Sequence, residues 1–279
     1  MVSDTGFTVS QRQRLTELGA EQKALERRFG SEMEREEEFK RLSKTLTRKN
    51  IAAIGDYVDR RRKPLERIIE EKLRAAAIEL GFSEVVTPII VPKSFIEGMG
   101  ITSRDPLWRQ IIWIDDRQCL RPMLAPNLYT VMGKLLDFVR PVRIFEIGQC
   151  FRLDTKGPLH LEEFTMLNMV ELAPEGNNNK DRLLSYIKMM MNATGLEYEI
   201  VSESSEVYGT TLDVNVKGTE VASAAIGPLP MDANWGICEP WIGVGFGLER
   251  LAMFSGGYNT ASKVGRSLIY LDGSRLSVK

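Results

Sequence analysis

The spacing of apolar positions changes several times along the chain, and each change marks an element. Over residues 10–62 apolar side chains are sparse among many charges: Leu15, Leu18, Leu25, Phe29, Phe39, Leu42, Leu46, Ile51 and Ile54. Their helical spacing predicts a small, charged helical extension, packed loosely on a larger domain or tethered to it. Pro64 suits the first turn of a helix. Leu65, Ile68, Ile69, Leu73, Ala76, Ala77 and Leu80 then continue at helical spacing with one apolar stripe, and Gly81 suits the stop.

After Gly81 the pattern becomes β-branched. Val85, Val86, Thr87, Ile89, Ile90 and Val91, interrupted by Pro88 and closed by Pro92, predict an extended edge segment. Ile111, Ile112, Trp113 and Ile114, followed by Asp115 and Asp116, predict a second strand. Helical spacing returns over 127–139. Two strand patterns, 142–152 and 163–170, then face each other across a loop with Gly157 and Pro158, which predicts a hairpin. A helix over 181–193 stopped by Gly195, short strands near 197–201, 211–216 and 220–226, and a strand over 241–246 running into a helix complete the pattern. Successive strands with helices grouped around them predict an α+β fold with a largely antiparallel sheet.

The 279 residues suit one domain (63–279) behind a helical extension (1–62), and a 43% hydrophobic, 27% charged composition excludes wholesale disorder. No apolar run reaches the roughly 18 residues of a membrane span, and the first residues lack the features of a secretory leader. Cys119, Cys150 and Cys238 are odd in number and far apart, which predicts a reducing, cytoplasmic setting without a disulfide framework. His160 is the only histidine, so a multi-histidine metal site is excluded and a Ser-His-Asp relay would have to use this one residue.

The net charge of −1 conceals an asymmetry. Residues 1–74 carry 18 basic and 14 acidic side chains, and residues 75–279 carry 19 and 24. The basic excess peaks over 40–63, with Lys40, Arg41, Lys44, Arg48, Lys49, Arg60, Arg61, Arg62 and Lys63 against Asp56 and Asp59. Such a stretch fits a phosphate backbone or, equally, a solvated helix face.

Three constellations carry candidate chemistry. Gly243, Gly245 and Gly247 alternate on a strand and leave one face bare, and the helix that follows begins with Glu249 and Arg250. A flat ligand could lie on that backbone and an anion at the helix start, although close backbone packing would use the same glycines. In the hairpin, Arg152 ends one strand and Phe164 opens the other, a pairing that suits a phosphate and a base, or simply an ion pair and a core ring. The third is the amphipathic helix leading through Gly81 to Val85, Val86, Thr87 and Pro88.

In this order the three resemble the signature motifs of class II aminoacyl-tRNA synthetases: the interface helix and Pro-ended strand, the Arg-bearing hairpin, and the glycine strand with Glu-Arg. Within the class, Leu120-Arg121-Pro122-Met123-Leu124-Ala125-Pro126-Asn127-Leu128-Tyr129, His160-Leu161-Glu162-Glu163-Phe164-Thr165-Met166-Leu167-Asn168 and Glu239-Pro240-Trp241-Ile242-Gly243 resemble the pyrrolysyl-tRNA synthetases, as do Val207-Tyr208-Gly209 and Gly227-Pro228. The likeness runs from about residue 65 to the C-terminus. The first 62 residues look like the short helical, tRNA-contacting region of that catalytic domain. They do not resemble the separate zinc-containing N-terminal domain of some relatives, so the resemblance implies a stand-alone catalytic form.

The resemblance implies ATP-dependent activation of pyrrolysine or another Nε-substituted lysine, transfer to the 3′ end of tRNA(Pyl), and a homodimer through the first motif. Arg152 and Arg250 would be catalytic, holding the α- and γ-phosphates. Asp154, His160, Leu161, Phe164, Glu220, Ser223 and Gly245 would complete the ATP site, with Glu220 and Ser223 on Mg²⁺. Ala125, Leu128, Tyr129, Met132, Val170, Ala225, Trp241 and Gly243 would line the amino-acid pocket, Asn168 would bond the side-chain amide, and Tyr208 would act as a lid. Lys263 and Arg266 join 40–63 as tRNA candidates. Asp154 stands where the family carries Glu, and Met132 and Ala225 stand where Leu and Val are common, which changes the pocket's shape. A class II paralogue with another amino acid or acceptor, and a catalytically silent RNA-binding paralogue, are the alternatives.

Overall fold

The computed structural model describes residues 5–153, 157–205 and 207–277. They divide into two compact units: residues up to Pro64 together with those from Ser262 onward, and Leu65–Ala261. The first unit therefore takes in the C-terminal segment, where the sequence reading drew a single boundary near residue 62.

The first unit begins with β1 (Thr5–Gly6), α1 (Val9–Glu17), α2 (Gln22–Leu25), β2 (Arg28–Phe29) and the 28-residue α3 (Glu32–Asp59). The helical stretch is thus three helices. Gly19 adopts φ +88°, a left-handed conformation that ends α1 and that L side chains resist. Thr8 and Gln11 cap α1 reciprocally, and Ser31 Oγ accepts from Glu34 N at the start of α3. The unit has its own core of Phe7, Leu15, Leu25 and Phe29, packed against Phe39, Leu42 and Leu46.

Asn50 explains why the C-terminal ribbon, Tyr270–Leu271 with Ser274–Arg275, belongs to this unit. Asn50 is buried on α3; its Nδ2 donates to Leu18 O (3.0 Å) and Leu46 O (2.9 Å), and its Oδ1 accepts from Arg275 N (2.6 Å). One amide thereby ties α1, α3 and the ribbon, a link across 225 residues that no local pattern announces.

The second unit runs α4 (Leu65–Glu79), β3 (Ser83–Glu84), β4 (Ile90–Pro92), α5 (Lys93–Gly98), β5 (Gln118–Leu120), α6 (Ala125–Leu135), β6 (Val142–Phe151), β7 (Glu163–Leu172), α7 (Asn179–Thr194), β8 (Glu199–Ser205), β9 (Gly209–Val216), β10 (Thr219–Gly227), β11 (Trp241–Gly247) and α8 (Leu248–Ser255). Seven strands form one sheet in the order β3-β6-β7-β11-β10-β9-β8, antiparallel except for β3 with β6. This is the α+β architecture expected.

Two strand expectations change. Residues 85–89 stay outside the strands, with Val86 89% exposed. Residues 111–114 make only an isolated bridge, Trp113 to Cys119, after a short 3₁₀ turn over Pro106–Gln110. Their apolarity serves packing: Ile111 is buried, and the Trp113 ring lies 4.8 Å from Trp108. The strand that pairs with β4 is β5.

Side chains alternate across β7, so its two faces are built for different purposes. On one face the buried carboxylate of Glu171 takes Arg143 Nε (3.0 Å), Arg182 Nη1 (3.0 Å) and Tyr186 OH (2.7 Å), fixing α7 to the sheet. On the other, Val170 packs with Ala125, Leu128, Tyr129 and Met132 of α6. Among the described residues no helix is long and apolar enough to cross a membrane.

The Asn50 amide generates a test. Asn50→Ala leaves Arg275 N and two carbonyls short of a partner, and it should destabilise the first unit by on the order of 2–3 kcal/mol. Thermal unfolding and hydrogen exchange read this, with the Arg275 amide exchanging much faster; unchanged protection would show that the ribbon is held elsewhere.

Candidate active site

The site is a 410 Å³ cavity in the second unit. Period-2 alternation supplies most of its walls. Phe164, Met166, Asn168 and Val170 come from one face of β7, Trp241, Gly243, Gly245 and Gly247 from β11, and Ser223 and Ala225 from β10. Helical spacing supplies Ala125, Tyr129 and Met132 from α6. Arg152 follows β6, Leu159, His160 and Leu161 come from the hairpin loop, Val207 and Tyr208 from the turn between β8 and β9, and Glu249 and Arg250 from the first turn of α8.

The register explains the glycines. Gly245 pairs with Asn168 on one side and with Ser223 on the other, and Ser223 pairs with Asp213. A Cβ at Gly245 would stand 2.9 Å from Asn168 Oδ1, so only glycine leaves that amide its place. Asn168 Oδ1 is buried without a protein partner, which marks a polar group waiting for a ligand in an otherwise apolar wall.

Arg152, Glu220 and Arg250 are among the charged residues of the lining. Arg152 Nε donates to Pro122 O (2.8 Å), and its guanidinium lies 5.3 Å from the Phe164 ring centroid. Arg250 Nη1 donates to Glu220 O (2.9 Å) and lies 3.5 Å from Glu220 Oε1. Desolvation by the cavity walls pushes the Glu220 carboxyl upward, and the Arg250 guanidinium opposes that shift. Ser223 Oγ donates to Asp213 Oδ1 (2.6 Å), which turns the hydroxyl's lone pairs away from Asp213.

Glu220, Ser223 and Asp213 are hard oxygen donors, so the donor set fits Mg²⁺. Among the described residues no group of three or more His, Cys, Asp and Glu could hold a metal ion. The fit is therefore to an ion that arrives with phosphate and water ligands, which is how Mg²⁺ is commonly held. Burial pushes the Cys119 thiol up to about 11 and the Cys150 thiol up to about 12, so neither is an activated nucleophile.

The chain is similar to known proteins in sequence and in fold. A family model described as phenylalanyl tRNA synthetase beta chain CLM domain matches residues 56–226. The crystal structure of pyrrolysyl-tRNA synthetase from Desulfitobacterium hafniense superposes with a TM-score of 0.92 at 42% identity, covering 99% of both chains. The chain belongs to the pyrrolysyl-tRNA synthetase family. A second structure of that enzyme from the same organism gives a TM-score of 0.90 at 41% identity, over 98% of this chain and 96% of that one. The histidine–tRNA ligase of Sulfolobus acidocaldarius is 24% identical over 143 residues, half of this chain and 33% of the relative. The chain spans a third or less of the length of this relative and of two others, a threonine–tRNA ligase from a Wolbachia strain and the phenylalanine–tRNA ligase alpha subunit of Methanospirillum hungatei. The fold is thus that of a class II synthetase catalytic core within the pyrrolysyl-tRNA synthetase family.

Of the residues assigned from the resemblance, Arg152, His160, Leu161, Phe164, Glu220, Ser223, Gly245 and Arg250 all line the one cavity. So do Ala125, Tyr129, Met132, Asn168, Val170, Tyr208, Ala225, Trp241 and Gly243. Leu128 does not: it is buried in the core on the flank of α6, beside the stripe formed by Ala125, Tyr129 and Met132. Asp154 lies outside the described residues. Lys263 is 6% exposed and burial lowers its ammonium pKa, so it does not offer a cation to solvent, whereas Arg266 is exposed.

Sequence reading missed Asp213, which only the β9–β10 register brings to Ser223, and it named Glu249 within the glycine-strand motif without giving it a role. The Glu249 carboxylate accepts Thr165 N on both oxygens (2.8 and 3.0 Å) and pins α8 to β7. Burial raises its pKa to about 7; the Thr165 amide opposes the rise, and the buried Glu66 of α4 adds to it. Because the folded value lies above the ordinary 4.5, the native state holds the extra proton between about pH 4.5 and 7. Stability should therefore fall as pH rises through that window. Glu249→Gln should flatten the fall in urea titrations run from pH 5 to 8; an unchanged slope would assign the proton to another group.

Proposed function

We propose that the chain is a pyrrolysine–tRNA ligase: it converts ATP and pyrrolysine, or a close Nε-substituted lysine, into an aminoacyl-adenylate with release of pyrophosphate, and passes the aminoacyl group to the 3′ end of tRNA(Pyl) with release of AMP. The observation that carries this reading is the continuity of the cavity. Arg152, Phe164, Glu220, Ser223 and Arg250 stand at one end, and Asn168, whose amide oxygen is buried without a protein partner, leads into the apolar end walled by Tyr129, Val170, Ala225 and Trp241.

Arg152 would hold the substrate carboxylate against the α-phosphate and stabilise the charge that grows as the carboxylate oxygen attacks phosphorus. Its Nε bond to Pro122 O fixes the direction of the fork. Phe164 would take the adenine face, and Arg250 the γ-phosphate. Glu220 and Ser223 would hold Mg²⁺, which when bound neutralises phosphate charge. The attacking carboxylate is already ionised at neutral pH, so this step needs no general base. That suits a cavity whose only histidine stands in a loop. Asn168 Nδ2 would donate to the carbonyl of the Nε-linked group, its Oδ1 being left to accept a substrate N–H, and a side chain without that carbonyl would leave the amide donor unpaired at a cost of about 1–3 kcal/mol.

The tRNA would meet the basic residues of the first unit. Lys40, Lys44 and Arg48 recur every fourth residue on α3 and are all exposed, which forms a cationic ridge. A homodimer through the first motif would cover Val86 and Ile90, which are 89% and 50% exposed. Three unpaired cysteines, Cys119 and Cys150 buried and Cys238 exposed, suit a reducing cytoplasm.

ATP–pyrophosphate exchange across a panel of lysine derivatives tests the reading. Exchange should depend on pyrrolysine or an Nε-acyl-lysine; without such dependence the reading fails, and exchange with no tRNA charging would favour another acceptor. Arg152→Ala should lower exchange at least ~100-fold. Asn168→Ala should reduce discrimination against a carbonyl-free side chain roughly tenfold while ATP affinity holds. Undiminished discrimination would remove Asn168 from the substrate's side chain.

A further inference from the structure

The far end of the cavity is closed by aromatic rings whose placement is set from behind. Tyr129 and Trp241 meet edge to face at 5.8 Å, Tyr208 and Trp241 at 6.3 Å, and Tyr129 stacks on Trp235 at 5.6 Å. Trp241 is thus the shared wall of two tyrosines, and its orientation decides how deep the cavity runs.

That orientation has one polar anchor. Trp241 Nε1 donates to Asp232 Oδ2 at 2.6 Å, and the same oxygen accepts Leu229 N at 2.6 Å. Asp232 is fully buried in the short 3₁₀ turn Pro230–Trp235 and is not among the residues lining the cavity. The second constraint is steric. Gly227 pairs with Trp241 across β10 and β11, and a Cβ at 227 would stand 1.9 Å from Trp241 Nε1. The indole therefore lies flat over bare backbone, with its N–H drawn to Asp232. Without that carboxylate the buried N–H would be unpaired, and the ring would turn to find water.

We propose that Asp232, acting with the bare backbone at Gly227, is the positioning residue that sets the depth and side-chain preference of the amino-acid cavity by locking the Trp241 indole. The inference rests on the proposed amino-acid substrate for its kinetic arm, but not for its spectroscopic one. It also makes a specific demand on chemistry. Both donors bind one oxygen, so a neutral amide carbonyl can replace the carboxylate. The amide nitrogen of Asp232→Asn would then occupy the place of Oδ1, which no donor meets at good hydrogen-bond geometry; the buried Tyr129 hydroxyl, whose pKa is raised by burial and also by the neighbouring Asp232 carboxylate, can turn to accept from that nitrogen. Geometry, not charge, is what the site requires of residue 232.

The test compares Asp232→Ala, Asp232→Asn and Gly227→Ala in pyrophosphate exchange with Nε-acyl-lysines from acetyl to benzoyl. Asp232→Ala should raise the KM for the preferred derivative roughly tenfold and flatten the preference across the series, while the KM for ATP stays within about twofold. Asp232→Asn should recover most of that loss, and Gly227→Ala, which displaces the indole sterically, should reproduce it. In a Trp241→Phe background, Asp232→Ala should change the preference no further. The indole N–H resonance of Trp241, identified by its loss in Trp241→Phe, should move upfield in Asp232→Ala and return in Asp232→Asn without any substrate present.

Three results would overturn the proposal: an unchanged acyl preference in both Asp232→Ala and Gly227→Ala, amino-acid and ATP KM values that rise together, or a Trp241 resonance insensitive to residue 232. If Asp232→Ala does not fold, Gly227→Ala decides: a displaced Trp241 resonance with a flattened acyl preference supports the proposal, and an unmoved resonance with an unchanged preference overturns it. Wild-type protein that exchanges with no lysine derivative counts against the proposed function instead, and the resonance still judges the Asp232 lock.

Discussion

Everything at the site depends on how closely side chains may approach the backbone of β11. Its alternate glycines cut a trench across the middle of the sheet, flanked by β7 and β10. A methyl group at Gly245 would strike Asn168, and at Gly243 it would stand 3.2 Å from Met169 O. The trench lets an amide, a hydroxyl and two arginines converge on one space without a side chain from the central strand filling it. Glycine in a strand weakens pairing and packing. The long β6–β7 pairing and the Glu249 clamp on Thr165 offset that weakness beside the trench.

Buried charge is distributed by the same logic. Glu146 and Glu171 are each almost fully buried and each held by arginine: Glu146 takes Arg121 Nη1 at 2.7 Å, and Glu171 takes Arg143 and Arg182. Arg121 also reaches Gln149 O and Thr87 O, so it joins the first motif to the hairpin strand that carries Arg152. A Cβ at Gly148 would sit 2.0 Å from Arg121 Nη2, which makes that approach possible only at glycine. The arginines facing the cavity are held differently: Arg152 leans on the Phe164 ring and donates to Pro122 O, and Arg250 donates to Glu220 O and lies 3.5 Å from the Glu220 carboxylate.

Much of this was legible in sequence. The hairpin of Arg152 and Phe164 follows from two period-2 runs around Gly157 and Pro158, and the bare face of β11 follows from Gly-x-Gly-x-Gly. The residues missed fall into recognisable kinds. Asp213 and Asp232 act through partners 10 and 9 positions away, each an ordinary surface-type residue until register or a 3₁₀ turn buries it. Residues 111–114 read as a strand because buried packing and strand pairing use the same apolar letters. Leu128 shared a motif with cavity residues but lies on the flank of the helix.

The sequence by itself determined the fold class, the order of the three motifs, and the chemistry available: arginines and oxygen donors, with one histidine. It did so because alternation, helical spacing and glycine placement are local properties. Only the tertiary structure decided which of these residues share a cavity, that the C-terminal ribbon joins the N-terminal helices through Asn50, and that Trp241 is held by a carboxylate behind the wall. Those outcomes depend on contacts between segments far apart along the chain, where direction and register, which no local pattern encodes, fix who meets whom.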